Sequence, residues 1–235
     1  MLYTLIGFVL GFFIPYLARR FSKIMRATPT FAYALYYILK INKHVSKDKY
    51  LNCHKYLQLR KNYFMRSLGW GIISAAIVSI INVALPENEK PWIVFFVMIL
   101  LILTEIDKRI QFLPDILTSP LLIGGFAYAA FSGLLLGDTT VEATENSALG
   151  AIFGYIIPVV ASLLLIKKHP DNLGGGDIKI LAAIGAWLGL SNIPFVILLS
   201  CLVFAISYFI TKKRVDAFGP SIVLATLIVL FLLIH

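Results

Sequence analysis

The run Ile193–Ile210, IPFVILLSCLVFAISYFI, contains no charged side chain and is long enough to cross a bilayer as one helix. A helix rises about 1.5 Å per residue through a hydrocarbon core about 30 Å thick, so a span needs roughly 17–25 apolar residues. The whole chain of 235 residues has this character, with 59% hydrophobic residues, 14% charged residues and a mean hydropathy of +0.86. Because a soluble core would not hide so much apolar surface, an integral membrane protein is predicted.

With seven further apolar runs, the sequence predicts an all-α fold, a polytopic bundle of about eight transmembrane helices. All eight runs, in chain order, are residues 2–18, 68–85, 91–106, 116–136, 148–166, 178–190, 193–210 and 221–234. Pro194 follows the sixth run closely, so residues 178–210 have a second interpretation as one broken hairpin that turns at Ser191 and Asn192. The first run has no basic segment before it and is interpreted as an anchor rather than a cleaved signal.

The net charge of +9 is distributed unevenly, and the distribution predicts topology. Twelve of the 21 Lys and Arg residues lie within residues 19–66, whereas the alternate loops hold a single Lys, Lys90, and five of the 12 acids. This positive-inside pattern places the N-terminus outside and favours contact with anionic lipid over nucleic acid. We expect residues 1–67 to form a first helix with a basic cytoplasmic loop, amphipathic around residues 31–39, and residues 68–235 to form a seven-helix unit.

Three carboxylates are expected at helix ends on the cytoplasmic side. Asp107 closes the third run, Asp115 opens the fourth, and Asp177 opens the sixth behind three glycines. Two facing carboxylates share one proton and can activate water without a cofactor. Spacing alone favours the simpler roles of helix caps and solvated helix ends, and an ion relay in a small transporter is a further alternative.

Two stretches resemble the motifs of the type IV prepilin leader peptidases, which are membrane aspartyl peptidases of the GxGD class. Residues 106–122, IDKRIQFLPDILTSPLL, are similar to the first motif, in which six residues separate an Asp from a Pro-Asp pair. Residues 174–189, GGGDIKILAAIGAWLG, resemble the second motif, GxGDxK. The glycine-containing stretch 150–155 and the late Phe-Gly-Pro at residues 218–220 follow the same order.

The resemblance implies that Asp107 and Asp177 are the catalytic pair. It implies supporting roles for Gly174, Gly176, Lys179, Pro114 and Asp115. The implied substrates are prepilins or pseudopilins, whose short basic leader is cut at the cytoplasmic face of the bacterial inner membrane. From the predicted helix ends, Asp177 at a helix N-terminus is expected to be the more acidic partner and Asp107 the proton holder. A scaffold of a pilus or secretion system that binds without cutting is the alternative within the same resemblance.

The N-terminal part departs from the family pattern. Residues 11–15, GFFIP, and 20–22, RFS, replace the Ser, Asn and Pro of the opening motif that is associated with methylation from S-adenosylmethionine. Methyl transfer is therefore a weaker expectation than cleavage. Many family members hold zinc with two CxxC pairs, but the first loop here offers only Cys53, with His54 and His44 as poorer donors. Zinc is not expected.

Overall fold

The computed structural model describes residues 2–27, 53–165, 174–211 and 217–234, which are almost wholly helical. Within these ranges lie eight α-helices: α1 (Leu2–Ala27), α2 (Cys53–Ala84), α3 (Lys90–Ile110), α4 (Asp115–Phe131), α5 (Thr140–Leu165), α6 (Gly175–Leu188), α7 (Ile193–Thr211) and α8 (Gly219–Ile234). Each of the eight predicted runs corresponds to one of them. The expected all-α membrane bundle is confirmed, while the amphipathic stretch 31–39 lies outside the described residues.

Among the helices of the described ranges, four are long and apolar enough to cross a membrane, in the segments Leu2–Ser22, Asn62–Ala84, Thr140–Leu164 and Ile193–Ile210. The α4 and α8 helices are apolar but shorter, and α3 carries charges in its last turns. Much of the apolar surface of the long helices faces outward, as lipid as a solvent permits.

An aromatic stack forms the centre of the bundle and joins α3, α4 and α6. The buried indole of Trp187 stacks on Phe96 at 4.7 Å and on Tyr128 at 5.2 Å between ring centroids. Its Nε1–H donates to the carbonyl of Leu121 at 2.7 Å, so the polar edge of the indole is satisfied in an apolar surrounding. The stack fixes the mutual position of the three helices that carry the predicted site residues.

The helices α5 and α6 approach so closely that their backbones touch at glycines. A Cβ on Gly150 would overlap the carbonyl oxygen of Gly185, and one on Gly185 would overlap that of Gly150. One turn further along, Gly154 faces the carbonyl of Leu181 in the same way. Lipid tails give helices no hydrophobic reason to associate, so this close backbone packing supplies attraction between α5 and α6.

Turn chemistry explains where helix ends differ from the apolar runs. The α4 helix ends five residues before its run does, because Gly133 has a positive φ of 65° and the N–H of Leu135 donates to the Tyr128 hydroxyl. The α5 helix begins earlier than its run because Thr139 Oγ1 accepts the N–H of Glu142. The turn between α6 and α7 includes the predicted Ser191 and Asn192, and the Asn192 amide donates to the Leu188 carbonyl.

Substitution of Gly185 by Ala is expected to force α5 and α6 apart and to lower stability by about 1–3 kcal/mol, the usual cost of overpacking. Gly69 in α2 is a matched control, because a Cβ there would meet no atom within 4 Å. Gly69→Ala should leave the melting temperature in detergent unchanged or raise it. Equal melting temperatures for the two variants would contradict the close approach.

Candidate active site

Asp107 lies in the last turn of α3 and is almost fully buried, with 4% of its surface exposed. The chain leaves the helix immediately afterwards, since Gln111 adopts a left-handed conformation with φ 51° and its N–H donates to the Asp107 carbonyl at 2.8 Å. The expected position of Asp107 near the end of the third helix is therefore observed. Its burial raises the question of which groups compensate the carboxylate.

The start of α8 compensates the burial of the Asp107 carboxylate. The backbone N–H of Gly219 donates to Asp107 Oδ2 at 2.9 Å, across 112 residues of sequence. A Cβ at position 219 would lie 2.6 Å from the same oxygen, so a larger residue there would displace the Asp107 carboxylate. The first N–H groups of a helix carry partial positive charge and favour an ionised carboxylate. The Phe-Gly-Pro stretch thus supplies a backbone donor to Asp107, a role that the sequence did not reveal.

The loop between α3 and α4 contacts the glycines that precede α6. Pro114 is extended and caps α4, and the buried Leu113 packs against Gly176. A Cβ on Gly176 would lie 2.9 Å from the Leu113 Cβ and 3.4 Å from its backbone N and O. A Cβ on Gly175 would meet nothing within 4 Å. Of these two neighbouring glycines, only Gly176 is required by packing.

An ion pair makes the second link between the two segments. Lys179 Nζ donates to both carboxylate oxygens of Asp115, at 2.7 and 2.9 Å. Both side chains are about half exposed, so the pair contributes little to stability but fixes the distance between the starts of α4 and α6. Lys179 and Asp115 therefore hold each other in the structure.

Asp177 lies in the first turn of α6, ahead of the apolar part of the helix. Burial raises the pKa of its carboxyl from 3.8 to about 6; the negative charge of Asp107 adds to the rise, and the backbone N–H of Gly174 opposes it. Gly174, not Asp177, is the N-cap of α6, so the interpretation of Asp177 as the cap residue is wrong; Asp177 is the third residue of the helix. The influence of Asp107 places the two carboxylates within electrostatic reach of each other.

The surroundings of the two carboxyls differ. The helix ends predicted Asp107 as the proton holder. In the structure, the Gly219 N–H favours the ionised form of Asp107, whereas its deeper burial favours the neutral form. Burial and the charge of Asp107 raise the pKa of Asp177 to about 6. Since two coupled carboxyls titrate as a unit, the shared proton belongs to the pair.

Metal binding has no support in the described part of the chain, where His, Cys, Asp and Glu form no group of three with metal-site geometry. This finding does not cover the three poorer zinc donors named from the sequence, Cys53, His54 and His44. Cys53 and His54 begin α2 but their side chains lie outside the described atoms, and His44 lies outside the described residues.

Comparison with known proteins assigns the chain to a family. The sequence profile of the type IV leader peptidase family matches residues 94–210, which contain both aspartates and the glycines before α6. The chain belongs to the type IV leader peptidase family. The resemblance recognised from the two motifs is confirmed. No solved structure matches the chain significantly.

Several relatives of this chain are named prepilin leader peptidase/N-methyltransferase. The protein of Neisseria gonorrhoeae is 35% identical over 52% of this chain and 42% of its own length. The protein of Vibrio cholerae is 29% identical over 72% of this chain and 66% of its own. The protein of Escherichia coli K12 is 29% identical over 82% and 88%, respectively. The first two matches thus span less than two thirds of the relatives' length.

The raised pKa of Asp177 predicts that stability depends on pH through this carboxyl. Because the folded-state pKa of about 6 exceeds the ordinary 3.8, the native protein should gain stability as pH falls through 6, with the gain complete below about 4. Asp177→Asn should lose this dependence and exceed wild-type stability above pH 7 by at most about 3 kcal/mol. Melting temperatures from pH 4 to 8 measure it, with the exposed Asp138→Asn as control. A pH dependence that persists in Asp177→Asn would assign it to other groups.

Proposed function

We propose that this chain is an aspartic endopeptidase that removes the leader from prepilins or pseudopilins. The names of the relatives and the family match support the peptidase class. The observation that supports the aspartic mechanism is the electrostatic influence of Asp107, from α3, on the carboxyl of Asp177, from α6. Two carboxyl groups that share a proton are the groups that aspartic peptidase chemistry requires.

The two aspartates take different roles in the proposed first step. Asp107, ionised beside the Gly219 N–H, accepts a proton from a water molecule whose oxygen attacks the scissile carbonyl carbon. Asp177, protonated, gives its proton to the carbonyl oxygen, so that a neutral gem-diol forms and the proton has moved from one carboxyl to the other.

The second step reverses the proton flow. Asp107 now gives its proton to the leaving nitrogen, a gem-diol hydroxyl returns its proton to Asp177, and the carbon–nitrogen bond breaks. The products are a carboxylic acid and an amine, and the pair regains its starting protonation. Like all coupled dyads, the two carboxyls titrate as a unit.

The supporting residues shape this site without entering the chemistry. Gly176 and Pro114 allow the α3–α4 loop to lie against the start of α6, and Lys179 ties α6 to Asp115. Gly174 begins α6 and directs its N–H to Asp177. Together these contacts set the separation of the two carboxylates.

We place the protein in the bacterial inner membrane with the N-terminus outside and the site at the cytoplasmic face. The positive-inside charge pattern supports this orientation, because the basic residues flank the same helix ends that carry the aspartates. Cleavage as proposed needs no cofactor and no zinc. The departures at residues 11–15 and 20–22 argue against methyl transfer from S-adenosylmethionine, although the relatives' names include that activity.

The proposal is tested by incubating purified protein in detergent with a prepilin and measuring the product's N-terminus by mass spectrometry. Wild type should remove the leader, whereas Asp107→Asn and Asp177→Asn should each reduce the rate by at least about 10³-fold, because neither amide can complete the proton cycle. Asp138→Asn is the control for removal of a carboxylate. An intact substrate with folded wild type would favour the scaffold or transporter alternatives, and a mass increase of one methyl group would restore methyl transfer.

The neighbouring glycines before α6 make a further prediction. Gly176→Ala should push the Leu113 loop away and lower kcat at least about tenfold, since misplacement of catalytic groups is costly. Gly175→Ala, which adds the same methyl group in open space, should retain kcat within about twofold. Similar kcat values for the two variants would show that the contact between Gly176 and Leu113 does not set the catalytic geometry.

A further inference from the structure

Glu105 is a fully buried carboxylate that the mechanism above does not use. From α2, Arg66 Nη2 donates to it at 2.9 Å and Trp70 Nε1 at 3.2 Å. From its own helix α3, Arg109 donates through Nε at 2.9 Å and forms an ion pair through Nη2 at 2.7 Å. One buried acid is therefore paired with two guanidinium groups and an indole, and it ties the end of α3 to α2.

Glu105 and Asp107 lie in the same part of α3 but on opposite sides of it. Two residues correspond to a rotation of about 200° around a helix axis. Glu105 faces α2, where it is bonded to Arg66 and Trp70, and Asp107 faces α8, where it is bonded to Gly219. The last turns of α3 are thus held from two sides, and a rotation that loosens one contact disturbs the other.

We propose that Glu105 is a positioning residue for Asp107. It anchors the end of α3 to α2 so that the Asp107 carboxylate stays against the N-terminus of α8, where its charge is stabilised. The structural part of this inference concerns only α2, α3 and α8. Its consequence for catalysis rests on the peptidase function proposed above.

Glu105 can be substituted without leaving a buried unpaired charge, because its two charged partners are partly exposed. Arg66 is 48% exposed and Arg109 21% exposed, so both guanidinium groups can reach water when the carboxylate is removed. Removal of Arg109 instead would take a charge partner from a buried acid, which is strongly destabilising. The informative variants are therefore Glu105→Ala, which deletes the anchor, and Glu105→Gln, which keeps the shape and one acceptor oxygen.

The first test measures the Gly219 contact without any reference to activity. Hydrogen–deuterium exchange, followed by mass spectrometry of peptides covering residues 217–222, reports on the Gly219 amide, whose hydrogen bond Asp107 accepts. Glu105→Ala should speed exchange there at least tenfold, as Asp107→Ala should. Glu105→Gln should have a smaller effect. The matched control is Glu145→Gln, which removes the carboxylate of an exposed glutamate on α5.

The second test measures catalysis. Glu105→Ala should lower kcat about 10- to 100-fold while KM stays within about twofold, because the contact positions a catalytic group rather than substrate. A double variant, Arg66→Gln with Trp70→Phe, should likewise lower kcat and leave KM nearly unchanged, while Arg109 continues to pair with Glu105. A purely structural role would lower the folded fraction but leave kcat per folded molecule unchanged.

The two tests separate this inference from the proposed function. Faster exchange at Gly219 with a wild type that cleaves nothing would support the positioning of Asp107 and reject the peptidase. Cleavage by wild type with unchanged Gly219 exchange in a folded Glu105→Ala would reject the positioning role. Unchanged kcat per folded molecule in both the Glu105→Ala and the Arg66→Gln/Trp70→Phe variants would also reject it.

Discussion

The burial of Asp107 within electrostatic reach of a second carboxyl, Asp177, is the constraint that the surrounding contacts meet. Each carboxylate loses hydration on burial, and each disfavours the charge of the other. The fold surrounds them unequally: the N–H of Gly219 stabilises charge on Asp107, while burial and the charge of Asp107 raise the pKa of Asp177. A difference between two similar side chains thus arises entirely from what surrounds them.

Glycine makes these surroundings possible at several points. Gly219 lets a helix N-terminus reach Asp107, Gly176 lets the start of α6 lie on the Leu113 loop, and Gly150 with Gly185 brings α5 against α6. In a bilayer, where apolar side chains gain little by leaving lipid for one another, backbone proximity of this kind supplies packing that a hydrophobic core supplies in water. The same contacts therefore stabilise the bundle and shape the site.

Charged side chains at the ends of the helices are arranged in pairs rather than left to the solvent alone. Asp115 with Lys179 joins α4 to α6, and Glu105 with Arg66 joins α3 to α2. Such pairs add little free energy where they are exposed, but they restrict how the helices rotate and slide. Under the proposed function, the restriction around Asp107 matters because a catalytic carboxylate must hold its position to within a fraction of an ångström.

The sequence by itself determined the membrane bundle, the eight helices and the three aspartates at helix ends, because apolar runs and charges follow directly from the requirements of a bilayer. Helix ends such as those of α4 and α5 were missed because local turn bonds, not hydropathy, decide them. The family motifs pointed to Asp107 and Asp177 as a pair. Only the tertiary structure gave Gly219 and Glu105 their contacts, because hydrogen bonds across 112 and 39 residues depend on how whole helices pack.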